Sequence, residues 1–122
     1  NKKELIILRS DLTNKVGYES EEWHLKAPHI ELEAAEWMVA NNFKSICLDF
    51  PQDYIAREMP DRVVYNDEFE IHHKIFDSGS TFIEDLMNLG KIKNNITQIC
   101  ALPLKMDCFD GAPMRTVAID WH

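Results

Sequence analysis

At 122 residues with 45% hydrophobic content, the chain can bury one modest core and is too short for two ordinary domains, so residues 1–122 read as a single domain or part of one. The formal charge is -8, from 21 acidic against 13 basic residues, and no Lys/Arg cluster exceeds Lys2-Lys3. That balance excludes a nucleic-acid surface and leaves a small molecule or another protein as the expected partner. No apolar run approaches the roughly 20 residues of a membrane helix. The opening Leu5-Ile6-Ile7-Leu8 is too short for the apolar segment of a signal peptide, so a cytoplasmic chain with no membrane contact is expected.

Residues 4–8 read as a strand, and residues 9–28 as a long polar loop carrying Asp11, Asn14, Gly17 and Ser20. A loop of that length within a domain goes with a functional or interface role. From Ile30 to Asn42 the apolar positions Leu32, Ala35, Met38, Val39 and Phe43 recur at helical spacing, with Pro28 just upstream and Asn41-Asn42 able to supply a left-handed terminating residue. Of the tryptophans, Trp37 on this helix is the stronger core candidate and Trp23 a packing or interface residue. Ser45-Ile46-Cys47-Leu48-Asp49-Phe50, closed by Pro51, reads as a buried strand. Residues 52–66 are read as irregular, residues 68–76 as a short helix ended by Ser78-Gly79, and residues 81–83 as a strand. Residues 97–106 and 114–120 form a hairpin candidate joined through Asp107-Cys108-Phe109-Asp110-Gly111-Ala112-Pro113. The class is α+β.

Cys47, Cys100 and Cys108 are odd in number and far apart, which fits neither a disulfide framework nor a zinc knuckle. Cys47 and Cys100 read as buried thiols. Cys108 has no neighbouring histidine to lower its pKa and is not read as a nucleophile. Neither GxGxxG nor GxxxxGK nor GxSxG occurs, which removes the usual nucleotide loops and the nucleophile elbow. Metal chemistry remains. His72 and Glu84, twelve positions apart, offer an imidazole and a carboxylate from adjoining elements, a donor pair suited to zinc or manganese. The plainer reading is a surface histidine beside His73 and a solvated carboxylate at a strand end. His24 and His29, flanking Pro28 in the long loop, read as solvated.

Several segments together resemble a family. Ile30-Glu31-Leu32-Glu33-Ala34-Ala35-Glu36-Trp37-Met38, then Ile46-Cys47-Leu48-Asp49, then residues 72–89, then Ala101-Leu102-Pro103-Leu104-Lys105 and Asp110-Gly111-Ala112-Pro113-Met114-Arg115 resemble the carboxy-terminal part of the cyclase family of metal-dependent hydrolases, of which kynurenine formamidase is the best-known member. The resemblance implies the swivelling β/β/α fold and a divalent metal, zinc or manganese, that activates water against an amide or related cyclic bond. It also implies metal-ligand roles for His72, followed by Ile75-Phe76, and for Glu84. His73 falls where relatives often carry arginine.

The family's amino-terminal motif His-x-Gly-Thr-His-x-Asp, which supplies the other ligands, does not occur in these residues. The chain therefore reads as the carboxy-terminal portion of a family domain whose amino-terminal part is missing, with the catalytic residues unassigned and the general base outside it. Unpaired strand edges of such a portion lead us to expect self-association into a homo-oligomer. Two ligands alone would hold an ion weakly. The readings that follow are a metal-dependent hydrolase incomplete as this chain and, alternatively, a noncatalytic truncated member acting as an oligomeric or interaction module.

Overall fold

Uninterrupted apolar character suits a strand covered on both faces, and the carboxyl half of the central strand of the parallel sheet, Ile46-Cys47-Leu48, has it. The computed structural model describes residues 3–18, 20–107 and 110–120. Strand β1 (Lys3–Leu8) is followed by two short helices, α1 (Leu12–Val16) and α2 (Glu21–Lys26), and then by α3 (Leu32–Ala40) and β2 (Phe43–Leu48). A 3-10 turn at Tyr54–Glu58 and a second at Asn66–Glu68 lead to α4 (Glu70–Asp77) and β3 (Thr81–Ile83). The antiparallel hairpin of β4 (Gln98–Pro103) and β5 (Met114–Ile119) completes the order. The turn of that hairpin contains Cys108 and Phe109, which lie outside the described residues. Two compact units divide the chain, the first ending at Leu89 and the second beginning at Gly90.

In the first unit the sheet order is β1-β2-β3, with both pairings parallel and Ile46 level with Ile6 on one side and Phe82 on the other. Ile46, Leu48 and Phe82 share one face by the two-residue period and meet Ala35 and Met38 of α3 and Ile71 and Ile75 of α4 in a continuous core. Full burial of side chains such as Ile46, Leu48 and Ile75 stabilises by about 1.5–3 kcal/mol each. The alternate residues Cys47 and Ile83 are buried too, and burial pushes the Cys47 thiol up to about 11. Cys47 is therefore the inert thiol expected of it, whereas Cys100 is only half-buried. Helix α3 ends where expected, with Asn42 at φ 62°, and Gly79 at φ 74° turns the chain from α4 into β3.

The segment 9–28, read from sequence as a loop, holds α1 and α2 instead. Ser20 caps α2 by accepting the Trp23 N–H at 3.0 Å, Glu21 and Glu22 sit in its first turn, and the buried Trp23 indole donates to Thr13 Oγ1 at 3.0 Å. Thr13 Oγ1 in turn donates to the Asp49 carbonyl at 3.2 Å. The buried Asp49 carboxylate accepts Ser10 N–H at 2.7 Å, Ser10 O–H at 2.9 Å and Asp11 N–H at 2.9 Å. The segment is thus fastened to the end of β2.

Trp23 packs in the interior at 4% exposed, and Trp37, the stronger core candidate from sequence, is instead 53% exposed. On α3 the buried stripe runs through Ala35 and Met38, and Trp37 lies about 200° around the helix from Ala35, against Phe43. Among the described residues no helix is long and apolar enough to cross a membrane. Trp23→Ala should lower unfolding free energy by about 3–5 kcal/mol and Trp37→Ala by about 1 kcal/mol or less, read from urea titrations of both variants. Equal losses would contradict this packing.

Candidate functional site

Parallel strands send their carboxyl ends to the same edge of a sheet, the usual place for a ligand in such sheets. Here that edge carries Ser10 and Asp11 after β1, Asp49, Gln52 and Asp53 after β2, and Glu84 and Asp85 after β3. The loop after β2 is held from outside, since the Gln52 carbonyl accepts the Ile30 N–H at 2.8 Å. After β3, Leu86 N–H donates to the Leu48 carbonyl at 3.0 Å, and Asp85, at φ 54°, accepts from the Tyr18 hydroxyl at 3.0 Å. These bonds fix the backbone on either side of Glu84.

His72 lies in the first turns of α4 and reaches the same edge. Its Nδ1 meets Asp53 Oδ2 at 2.7 Å, while Asp53 Oδ1 accepts the Ile71 N–H at 2.8 Å. One carboxylate, 4% exposed, therefore caps α4, whose own N-cap Phe69 offers no side-chain bond, and orients the imidazole. A ring whose Nδ1 is held by a carboxylate turns Nε2 to the opposite side, the orientation that metal-bound histidines use. That Nε2 stands 3.4 Å from Glu84 Oε1. Between them lies the Gln52 amide nitrogen, 2.6 Å from His72 Nε2 and hydrogen-bonded to Glu84 Oε1. Phe69, Phe76 and Phe82 stand edge-on around the imidazole at centroid distances of 5.4, 5.5 and 5.2 Å.

The two residues singled out from sequence are thus brought together, and His73 is not among them: its Nε2 meets the Asn66 carbonyl at 2.9 Å on the exposed side of α4. Gln52 and Asp53, unmarked in the sequence reading, complete the cluster. The signal that could have found them is their position just past Asp49-Phe50-Pro51, at the carboxyl end of a buried strand. Among the described residues no three of His, Cys, Asp and Glu converge as a ready-made ion cage, because Asp53 occupies the Nδ1 side of the ring and Glu84 the Nε2 side. His29, left as solvated in the sequence reading, pairs instead with Glu31 at 2.8 Å and packs edge-on to Tyr54. With Ile30, Leu32 and Glu70 these line a groove of about 590 Å³.

Burial opposes charge on the His72 ring, but the hydrogen bonds and negative charges of Asp53 and Glu84 outweigh it and raise the imidazole to about 9. Burial likewise works against the Glu84 carboxylate, and the bonds from His72 and Gln52 prevail, lowering its pKa. Since the folded His72 pKa lies above the ordinary 6.5, its contribution is full below about pH 6.5 and is lost as pH rises through about 9. Glu84 acts in the opposite sense, contributing above its ordinary 4.5 and losing that contribution as pH falls. In chelator-treated protein the stability difference between wild type and His72→Gln should therefore shrink by on the order of 2 kcal/mol between pH 6.5 and 9. Urea midpoints across that range would show it, and a difference independent of pH would contradict it.

No protein-family model matches the chain. It is similar to kynurenine formamidase of Bacillus cereus (strain ATCC 10987 / NRS 248), with 26% identity over 114 residues that take in 93% of this chain and 48% of that protein. The chain spans about half the length of the curated relative it matches. The similarity runs over nearly all of these residues.

Proposed function

We propose that the chain is the carboxy-terminal portion of one domain of a cyclase-family, metal-dependent hydrolase with the swivelling β/β/α fold, and that His72 and Glu84 are metal ligands in it. The observation that carries this reading is the approach of His72 Nε2 to within 3.4 Å of Glu84 Oε1, with Nδ1 already engaged by Asp53. The similarity to kynurenine formamidase supports the same reading from an independent direction.

The donor set fits a divalent ion. Imidazole nitrogen and carboxylate oxygen are ligands for zinc and manganese alike, and the carboxylate behind His72 is the usual partner of such a ligand. When bound, the ion would supply an activated water for hydrolysis of an amide, and the relative's name makes a formamide of kynurenine the first substrate to try. The residues of this chain do the rest of their work by position. Asp53 fixes the tautomer and tilt of His72, and Glu84 supplies negative charge on the Nε2 side. Phe69, Phe76 and Phe82 keep low-dielectric walls around the imidazole, which strengthens the electrostatics within the site. The remaining coordination positions, the general base and the substrate pocket belong, on this reading, to groups outside these residues, contributed by a further segment or a second copy.

In the intact protein that contains this segment, His72→Ala and Glu84→Ala should each weaken zinc or manganese binding about 10–100-fold or more and remove formamide hydrolysis. Metal content after dialysis and formate release are the two readouts. Unchanged metal content in both variants would refute the assignment.

A further inference from the structure

Gln52 sits at the centre of the cluster with its side chain almost wholly inside the protein, 3% exposed, at a place where an apolar residue would be the ordinary occupant. Its amide nitrogen donates to the Glu84 carboxylate and lies 2.6 Å from His72 Nε2 and 3.3 Å from Nδ1. Both side chains it approaches are ones a cation would use. The three side-chain tips also lie close to one another, the widest separation being the 3.4 Å between His72 Nε2 and Glu84 Oε1. Three side-chain tips gathered in this way are all within reach of one ion placed among them.

A terminal amide carries a donor and an acceptor of nearly equal size on one carbon, and a half-turn about its last side-chain bond exchanges them. With nitrogen inward, the amide donates to the Glu84 carboxylate in the absence of a cation. With oxygen inward, the amide oxygen and the Glu84 carboxylate face one another, an arrangement that is repulsive until a cation is among them. We propose that Gln52 is a third protein ligand of the ion, binding through Oε1 after this half-turn, and that its nitrogen-inward rotamer holds the metal-free site together. The proposal rests on the metal reading given above and adds a residue to it. It also bears on the choice of ion: an amide carbonyl beside a carboxylate makes the set two oxygens to one nitrogen, which moves it toward manganese.

Titration of the intact protein with Mn(II), followed by calorimetry, tests this alongside Gln52→Ala, Gln52→Glu and His72→Ala. Gln52→Ala should weaken Mn(II) binding at least tenfold, and Gln52→Glu, which keeps an oxygen at the same reach, should restore it to the wild-type value or better. Equal or tighter binding by Gln52→Ala would overturn the proposal, since it would make the amide a mere competitor for the ion's place. Wild-type protein that takes up no Mn(II), or a His72→Ala variant that binds as wild type does, would instead sink the underlying metal reading and this proposal with it. A measurement on unsubstituted protein covers poor folding of the alanine variant. Zn(II), which is diamagnetic, should shift the Gln52 side-chain carbonyl carbon resonance, identified by its absence from Gln52→Glu, and a stationary resonance at saturating Zn(II) counts against ligation.

Discussion

The parallel pairing of β2 with both β1 and β3 is the constraint on which the site depends. Because the strands run the same way, the chain leaves each one at the same edge, and residues far apart in sequence are delivered there together. Asp49 and Glu84, 35 positions apart, both follow the ends of paired strands. Two non-glycine residues at that edge, Asp11 and Asp85, take left-handed backbone conformations, a local cost held in place by surrounding bonds. For Asp11 those bonds come from its own N–H to Asp49 and from Arg9, whose guanidinium reaches its carboxylate at 2.6 Å. For Asp85 the bond comes from Tyr18. Strain, buried polar groups and converging donors are therefore concentrated on one side of the sheet.

Around His72 two opposing effects are balanced. Aromatic walls and partial burial disfavour a charged imidazole, while two carboxylates favour it more strongly. The same carboxylates would favour any cation at Nε2, so a proton and a metal ion compete for one position, and binding of the ion releases the proton. Asp53 serves two structures at once, capping α4 and setting the ring. Its position makes the geometry of the site inseparable from the start of the helix that carries the histidine. The buried Asp49 does equivalent work for the segment between β1 and α3, which leaves neither carboxylate free to vary without loss of local order.

Much of this was legible in the residues. The helical period from Leu32 to Val39, the apolar run through Ile46-Cys47-Leu48 and the turn at Ser78-Gly79 each have a direct physical signature, and α3, β2 and α4 fall where those signatures lie. Helices α1 and α2 were not legible because each spans fewer than two turns and buries a single residue, Thr13 or Trp23, which leaves no period to detect. Trp37 was misplaced because aromatic character suggests burial, whereas its angular position on α3 decides the matter. At the site, His72 and Glu84 were marked by residue type and spacing. Gln52 and Asp53 were not, because their importance comes from tertiary placement and neither residue type nor period distinguishes them from an ordinary turn.

The central claim is that His72 Nε2 and Glu84 jointly face one divalent ion while Asp53 holds the other side of the ring. The most direct measurement is anomalous diffraction at the zinc edge from crystals of the intact protein grown with Zn(II). A peak about 2.0–2.2 Å from both His72 Nε2 and a Glu84 carboxylate oxygen, with the Nδ1–Asp53 bond kept, is the result this account requires. Zinc bound elsewhere, or bound through His72 Nδ1 with Asp53 displaced, would contradict it.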